Sequence, residues 1–268
     1  MDKIGKYNLL RVLGEGATST VYLSFDPATG RDLAVKVAKP QAMQDPNLGF
    51  YYRKTFETEA ALAGKLDHPY IVAIHDAVYG EEVSYIVMEL VEGGTLEKYC
   101  DPDNLLPNAR LVDILYACTI ALDFTQRGGI IHRDIKPANI LLVGPSEDVK
   151  ISDFGGAVVP GIVPLQGVGS PAYMSPEQAQ QAPLDYRTDM YSLGAVMYRM
   201  LTGRLPFPGK DTTEMLDRVV NAQMQPPSDF RLEVTQKLED VVMKAMAKKP
   251  DARFKNWTSF GAALQSAV

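Results

Sequence analysis

Residues 129–155 constrain this chain more than any other stretch. They read Gly129-Ile-Ile-His132-Arg133-Asp134-Ile135-Lys136-Pro137-Ala138-Asn139, an apolar run over 140–143, Gly144-Pro-Ser-Glu-Asp148, a second apolar run over 149–151, and Ser152-Asp153-Phe154-Gly155. Two short runs rich in β-branched residues on either side of a Gly-Pro turn predict a small hairpin. A hairpin returns its ends to one place, so Asn139 before the first strand is expected to meet Asp153 after the second. Asp134 lies five residues before Asn139 on the same loop. Two carboxylates and an amide gathered at one end suit a divalent cation held through oxygen and a proton taken from a hydroxyl.

The run from His132 to Asn139, followed by Asp153-Phe154-Gly155, resembles the catalytic and metal-binding segments of the protein kinase family. A lone motif is weak, but further motifs follow in the family's order, which a chance polar loop on another fold does not supply. The resemblance covers residues 7 to 265. It implies an α+β, two-lobed protein-kinase fold: a small antiparallel-sheet N-lobe with one main helix, over 1–91, and a larger, mainly helical C-lobe, over 92–268. A nucleotide would lie between the two.

Composition narrows the partners. With 268 residues the chain has ample core for one large domain or two lobes. A net charge of −6 and no Lys/Arg cluster argue against a nucleic-acid surface and give no support for a polybasic membrane patch. Cys100 and Cys118 sit in apolar company and read as small buried hydrophobes, which suits a reducing cytoplasm. No apolar run is long enough to span a bilayer and no signal peptide opens the sequence. A whole protein and a domain cut from a longer one both fit.

Residues 7–25 predict a hairpin whose turn carries Gly14 and Gly16, where backbone N–H groups can face phosphate. The family's third glycine is Ser19 here. Residues 32–38 alternate as a strand, with Ala34 and Lys36 on one face. Residues 41–50 read as a loop and 51–66 as a helix bearing Glu57 and Glu59; His68 reads as a turn residue and His75 as a strand residue. Residues 71–74 and 83–88 predict two more strands. By resemblance, Lys36 holds phosphate and Glu59 pairs with it, leaving Glu57 a solvated charge. Leu13, Gly14, Gly16, Val21, Ala34 and Leu141 would surround the nucleotide, Met88 would close the rear of its pocket, and Glu89 and Val91 would offer backbone groups to adenine.

In the second half a short helix capped by Thr95 is expected, then a long one over 108–127 capped by Asn108 and ended by Gly128. Residues 185–202 predict a helix that is apolar all round and therefore buried, with more helices near 211–223 and 234–248. By resemblance, Asp189 hydrogen-bonds the catalytic loop and Arg253 pairs with Glu177 of Ser175-Pro176-Glu177. Between Gly155 and Gly169 there is no Ser, Thr or Tyr, so the usual phosphate acceptor of an activation segment is missing. Packing of its valines, Ile162 and Leu165 is the expected source of order.

The resemblance implies a serine/threonine protein kinase using ATP with Mg²⁺ or Mn²⁺, most like the bacterial kinases of eukaryotic type. Asp134 would orient and deprotonate the acceptor hydroxyl, Lys136 would steady the transferring phosphoryl, and Asn139 and Asp153 would hold the metal. Protein substrates are the expected partners, the chain itself included through autophosphorylation. A nucleotide-binding module without turnover and a kinase of small molecules are the rival readings.

Overall fold

The computed structural model describes residues 3–80, 83–144, 148–159 and 169–268. The chain divides into two compact units, one of Met1–Glu92 with Asp153–Gly155, the other of Gly93–Ser152 with Gly156–Val268.

The first unit is built on β1 (Lys3–Ile4), β2 (Tyr7–Glu15), β3 (Ser19–Asp26) and β4 (Arg31–Ala38). Then come α1 (Pro40–Met43), α2 (Gly49–Ala60), β5 (Ile74–Val78) and β6 (Tyr85–Glu89). All six strands form one antiparallel sheet in the order β1-β2-β3-β4-β6-β5. Strand alternation gives it two different faces. On one, Tyr7, Leu33, Val35, Tyr85 and Val87 make an apolar cluster. On the other, Ile86 and Ile74 pack against Phe56 of α2.

The predicted 51–66 helix ends at Ala60. From there the bonds tighten to Leu62 N–H on Glu59 O and Ala63 N–H on Ala60 O, and Gly64 takes a left-handed φ of 69°. One turn of helix, α1, stands in the predicted loop, with Pro40 at its first position, where a missing N–H costs nothing. The strand expected over 71–74 begins at Ile74 instead.

The second unit begins with a 3₁₀ turn, Leu96–Tyr99, whose Glu97 N–H is accepted by the Thr95 hydroxyl. It continues through α3 (Asn108–Arg127), the hairpin β7 (Ile140–Val143) and β8 (Asp148–Ile151), and α4 (Pro176–Ala179). It closes with α5 (Arg187–Thr202), α6 (Thr212–Asn221), α7 (Gln236–Ala245) and α8 (Trp257–Gln265). Every residue of α5 except Arg187 and Arg199 is buried, as its apolar circumference requires. Asn108 does not cap α3; Pro107 stands at that position and the Asn108 amide donates to Glu233 O at 2.7 Å. No helix among the described residues is long and apolar enough to cross a membrane. The segment expected to order by apolar packing lies over 160–168, outside the described residues.

Two contacts hold the helical unit tightly. Gly194 lets α5 approach α7: a Cβ there would lie 2.8 Å from Met246 Cγ and 2.9 Å from Ala245 Cβ. Gly194→Ala is expected to cost about 1–3 kcal/mol through overpacking, read from the urea midpoint; an unchanged midpoint refutes it. Arg253, its side chain fully buried, grips Glu177 bidentately, Nη1 to Oε1 at 2.6 Å and Nη2 to Oε2 at 2.8 Å. Burial opposes the Glu177 charge, yet Arg253 outweighs it and holds the carboxyl below its ordinary value. The pair therefore stabilises the fold above the ordinary glutamate range and loses its contribution as pH falls through the lowered value. Arg253→Met strands a buried carboxylate and is expected to cost about 3–5 kcal/mol at neutral pH, with part recovered by adding Glu177→Leu.

Candidate active site

In the first unit, cross-strand register assembles one sheet face. Val21 lies opposite Lys36 and Ala34 opposite Met88, so these four side chains share that face. Beside them the β2–β3 turn closes with Gly16 N–H donating to Ser19 O at 2.9 Å. Gly14 and Leu13 lie on β2, Leu13 exposed. Helix α2 presents its apolar stripe to the sheet, which buries Glu59 on the same side as Phe56. Lys36 Nζ donates to Glu59 Oε2 at 2.7 Å and to Asp153 Oδ1 at 3.0 Å. Glu57 instead pairs with Lys54 at the surface, 2.9 Å away.

Burial works against the Lys36 ammonium, but the carboxylates of Asp153 and Glu59 outweigh it and hold the group above its ordinary value. Lys36 is a fixed cation. Asp153 has φ 64°, a left-handed backbone that non-glycine residues seldom adopt, and its side chain stays 42% exposed. Glu89 ends β6 with its N–H on Ala73 O at 2.9 Å, and Val91 follows in irregular backbone.

In the second unit the β7–β8 hairpin pairs Ile140 with Ile151 and returns Ser152 to Asn139, N–H to O at 2.9 Å. Gly93 packs against this hairpin so closely that any Cβ would overlap the Leu142 carbonyl; its φ is 149°. Leu141, on β7, bridges to Thr95.

Asp134 is held on both oxygens. Oδ2 accepts from Lys136 Nζ at 2.6 Å and from Asn139 Nδ2 at 3.3 Å; Oδ1 accepts from Ser170 N–H at 2.9 Å. Lys136 Nζ also donates to Ser170 Oγ at 3.0 Å. The Asn139 amide nitrogen reaches Asp134 O at 2.8 Å as well, which leaves its Oδ1 as the oxygen without a protein partner among the described residues. His132 is fully buried. Its Nδ1 accepts from Asp134 N–H at 3.3 Å, so Nε2 carries the proton that meets Ser152 O at 3.0 Å.

Asp189 lies under this loop and accepts from His132 N–H and Arg133 N–H, both at 2.8 Å. Burial raises its carboxyl above the ordinary value, against which His132 and the two backbone donors work. Arg133 has φ 70°, and its carbonyl is held by Gln178 Nε2 at 2.9 Å. Sequence reasoning missed Gln178. The signal was there: Ser175-x-x-Gln178 is a capping box, which fixes the Gln178 backbone and side chain together.

Among the described residues no group of three or more His, Cys, Asp and Glu is placed to hold a metal unaided. Taken separately, the Asn139 amide oxygen in the second unit and the half-exposed Asp153 carboxylate in the first are each oxygen donors of the kind that suits a hard cation.

The protein kinase domain family matches residues 7–265. Over 261 residues the chain is 40% identical to "Serine/threonine-protein kinase PknB" of Mycolicibacterium smegmatis, covering 93% of this chain and 41% of that protein. It is 37% identical over 264 residues to "Probable serine/threonine-protein kinase SCO3848" of Streptomyces coelicolor, covering 94% and 38%. It is 38% identical to "Serine/threonine-protein kinase PknB" of Mycobacterium tuberculosis H37Rv, covering 93% and 41%. The chain thus spans about two fifths of the length of these curated relatives. With its antiparallel-sheet unit, its helical unit and the ordered motifs from Gly14 to Arg253, the chain belongs to the protein kinase domain family.

Proposed function

We infer that this chain is a serine/threonine protein kinase that transfers the γ-phosphoryl group of ATP to protein hydroxyls. The observation that carries the reading is the lattice around Asp134, which fixes one carboxylate, one ammonium and one hydroxyl-bearing loop residue within a single hydrogen-bonded group. Asp134 orients the acceptor hydroxyl and takes its proton as the oxygen attacks the γ-phosphorus and ADP departs. Lys136 neutralises charge on the transferring group. Lys36, tied to Glu59, holds the α- and β-phosphates.

Asn139 and Asp153 are the residues that would hold Mg²⁺ or Mn²⁺, which when bound neutralises phosphate charge. Leu13, Gly14, Gly16, Val21, Ala34, Met88 and Leu141 enclose the nucleotide, and backbone groups of Glu89 and Val91 meet adenine. Residues 1–91 and 92–268 act as the two lobes of one kinase domain. Positioning and charge neutralisation carry this reaction, which is why the groups named for it are polar and fixed.

The names of the relatives support protein substrates, and autophosphorylation is part of the reading. Two cysteines without a disulfide support a reducing, cytoplasmic setting. The expected outcome with labelled ATP·Mg²⁺ and a generic basic protein is transfer by wild type, reduced about 10²–10⁴-fold in Asp134→Asn. No transfer by wild type would instead indicate a nucleotide-binding module, and transfer confined to metabolites a small-molecule kinase. Activity also needs no phosphate within 155–169, which holds no Ser, Thr or Tyr. Phosphatase-treated protein is expected to retain its rate; a large loss traced to Ser170 or Tyr173 overturns this.

A further inference from the structure

The β2–β3 turn stands out in water. Residues 13–17 are all exposed, and a Cβ built on Gly14 would meet nothing within 4 Å. Glycine loses more conformational freedom on ordering than any other residue, so such a turn is costly to fix. From within, it is closed by Gly16 N–H donating to Ser19 O at 2.9 Å.

Lys39 holds this turn by both arms. Its N–H donates to Thr18 O at 2.8 Å, on the β3 side, and its Nζ donates to Glu15 Oε1 at 2.6 Å, at the end of β2. The local sequence fixes Lys39 for this. Pro40 follows it, and a residue before proline is pushed into extended backbone; Lys39 has φ −82° and ψ 117°. Strand alternation therefore runs one residue past β4 and places Lys39 on the face of Val37. The Lys39 carbonyl accepts from Ala42 N–H and Met43 N–H, both at 3.1 Å, so its backbone is bonded on both sides.

Register puts Glu15 on that same face: it lies opposite Thr20, and Thr20 lies opposite Val37. Val21 and Lys36 occupy the other face, the one assigned to the nucleotide. The Glu15–Lys39 pair thus reaches the turn from behind and leaves the phosphate side clear. The hydrogen bond from Lys39 holds the Glu15 carboxyl below its ordinary value, so both partners are charged at neutral pH.

We propose that Lys39 and Glu15 are positioning residues that order the glycine turn in advance for the phosphates of the nucleotide, without touching them. A turn already ordered loses less conformational entropy when a ligand arrives, which strengthens binding with no new contact. The inference rests on the reading of this turn as a phosphate cradle. Its effect is small, because the Glu15 side chain is 67% exposed and an ion pair in water is weak.

The test is calorimetric titration of the full chain with ADP and, separately, with adenosine, which has no phosphate to meet the turn. At about 10 mM ionic strength, where charges are felt over about 30 Å, Glu15→Ala and Lys39→Met are each expected to weaken ADP about two- to fivefold. The double variant is expected to be no weaker than either single one, since both remove the same bond. Exchanging the charges, Glu15→Lys with Lys39→Glu, is expected to restore ADP affinity. At about 1 M salt, where screening acts within about 3 Å, variants and wild type are expected to converge. Adenosine affinity and melting temperature are expected to stay at wild-type values throughout.

ADP affinities that ignore both substitutions overturn the proposal. So do shifts of opposite sign in the two single variants, which are what charge acting through space on phosphate produces. An equal loss for adenosine also overturns it, since that marks general damage. A wild-type chain that binds neither ligand refutes the nucleotide reading and this proposal with it, whereas ADP binding indifferent to both residues refutes the proposal alone.

Discussion

One buried carboxylate supports the loop on which the candidate chemistry rests. Asp189 is 2% exposed, and burial pushes its carboxyl up. Two backbone N–H groups, those of His132 and Arg133, repay that cost only if both point inward. To present its N–H this way Arg133 adopts a left-handed backbone, itself a cost of about 1–3 kcal/mol. Among the bonds that hold it there are Asp189 on its N–H, Gln178 on its carbonyl and Gly156 O on its guanidinium. Such over-determination is how a strained backbone persists. Its product is an Asp134 whose two oxygens are both directed before any substrate arrives.

Ion pairs of nearly equal length do unlike work in this protein. Lys36–Glu59 spans 2.7 Å with side chains 16% and 3% exposed, and Lys39–Glu15 spans 2.6 Å with side chains 29% and 67% exposed. Water screens the second and not the first, so distance alone says little about strength. The buried pair fixes a cation in place, while the exposed one holds its two partners loosely. The two lysines are three positions apart, Lys36 on β4 and Lys39 just past its end.

Much of this was legible in the sequence because local patterns and tertiary packing agree. The β7–β8 hairpin follows from two β-branched runs and a Gly-Pro turn, and the burial of α5 from its apolar circumference. The misses are boundaries where packing or local bonding decides. Residues 61–63 keep helical periodicity, yet Gly64 turns the chain by sending its N–H to Ile74 O. Asn108 has the chemistry of a cap, but its amide finds the Glu233 carbonyl, 125 residues away, a partner no local pattern reveals. Gln178 was readable from its capping box, although its reach to Arg133 was not. Lys39 and Glu15 are 24 residues apart and become partners only through the register of β2, β3 and β4.

The grip of Arg253 on Glu177 also orders events in time. The two residues are separated by 76 positions, and at synthesis rates of about 5–20 residues per second the arginine leaves the ribosome roughly 4–15 seconds after the glutamate. Until then Glu177, in the first turn of α4, lacks the arginine that offsets the burial of its carboxylate. The α4 segment must remain wet and provisional while α5 to α7 are being made. Its final seating therefore waits on a residue made long after its own helix.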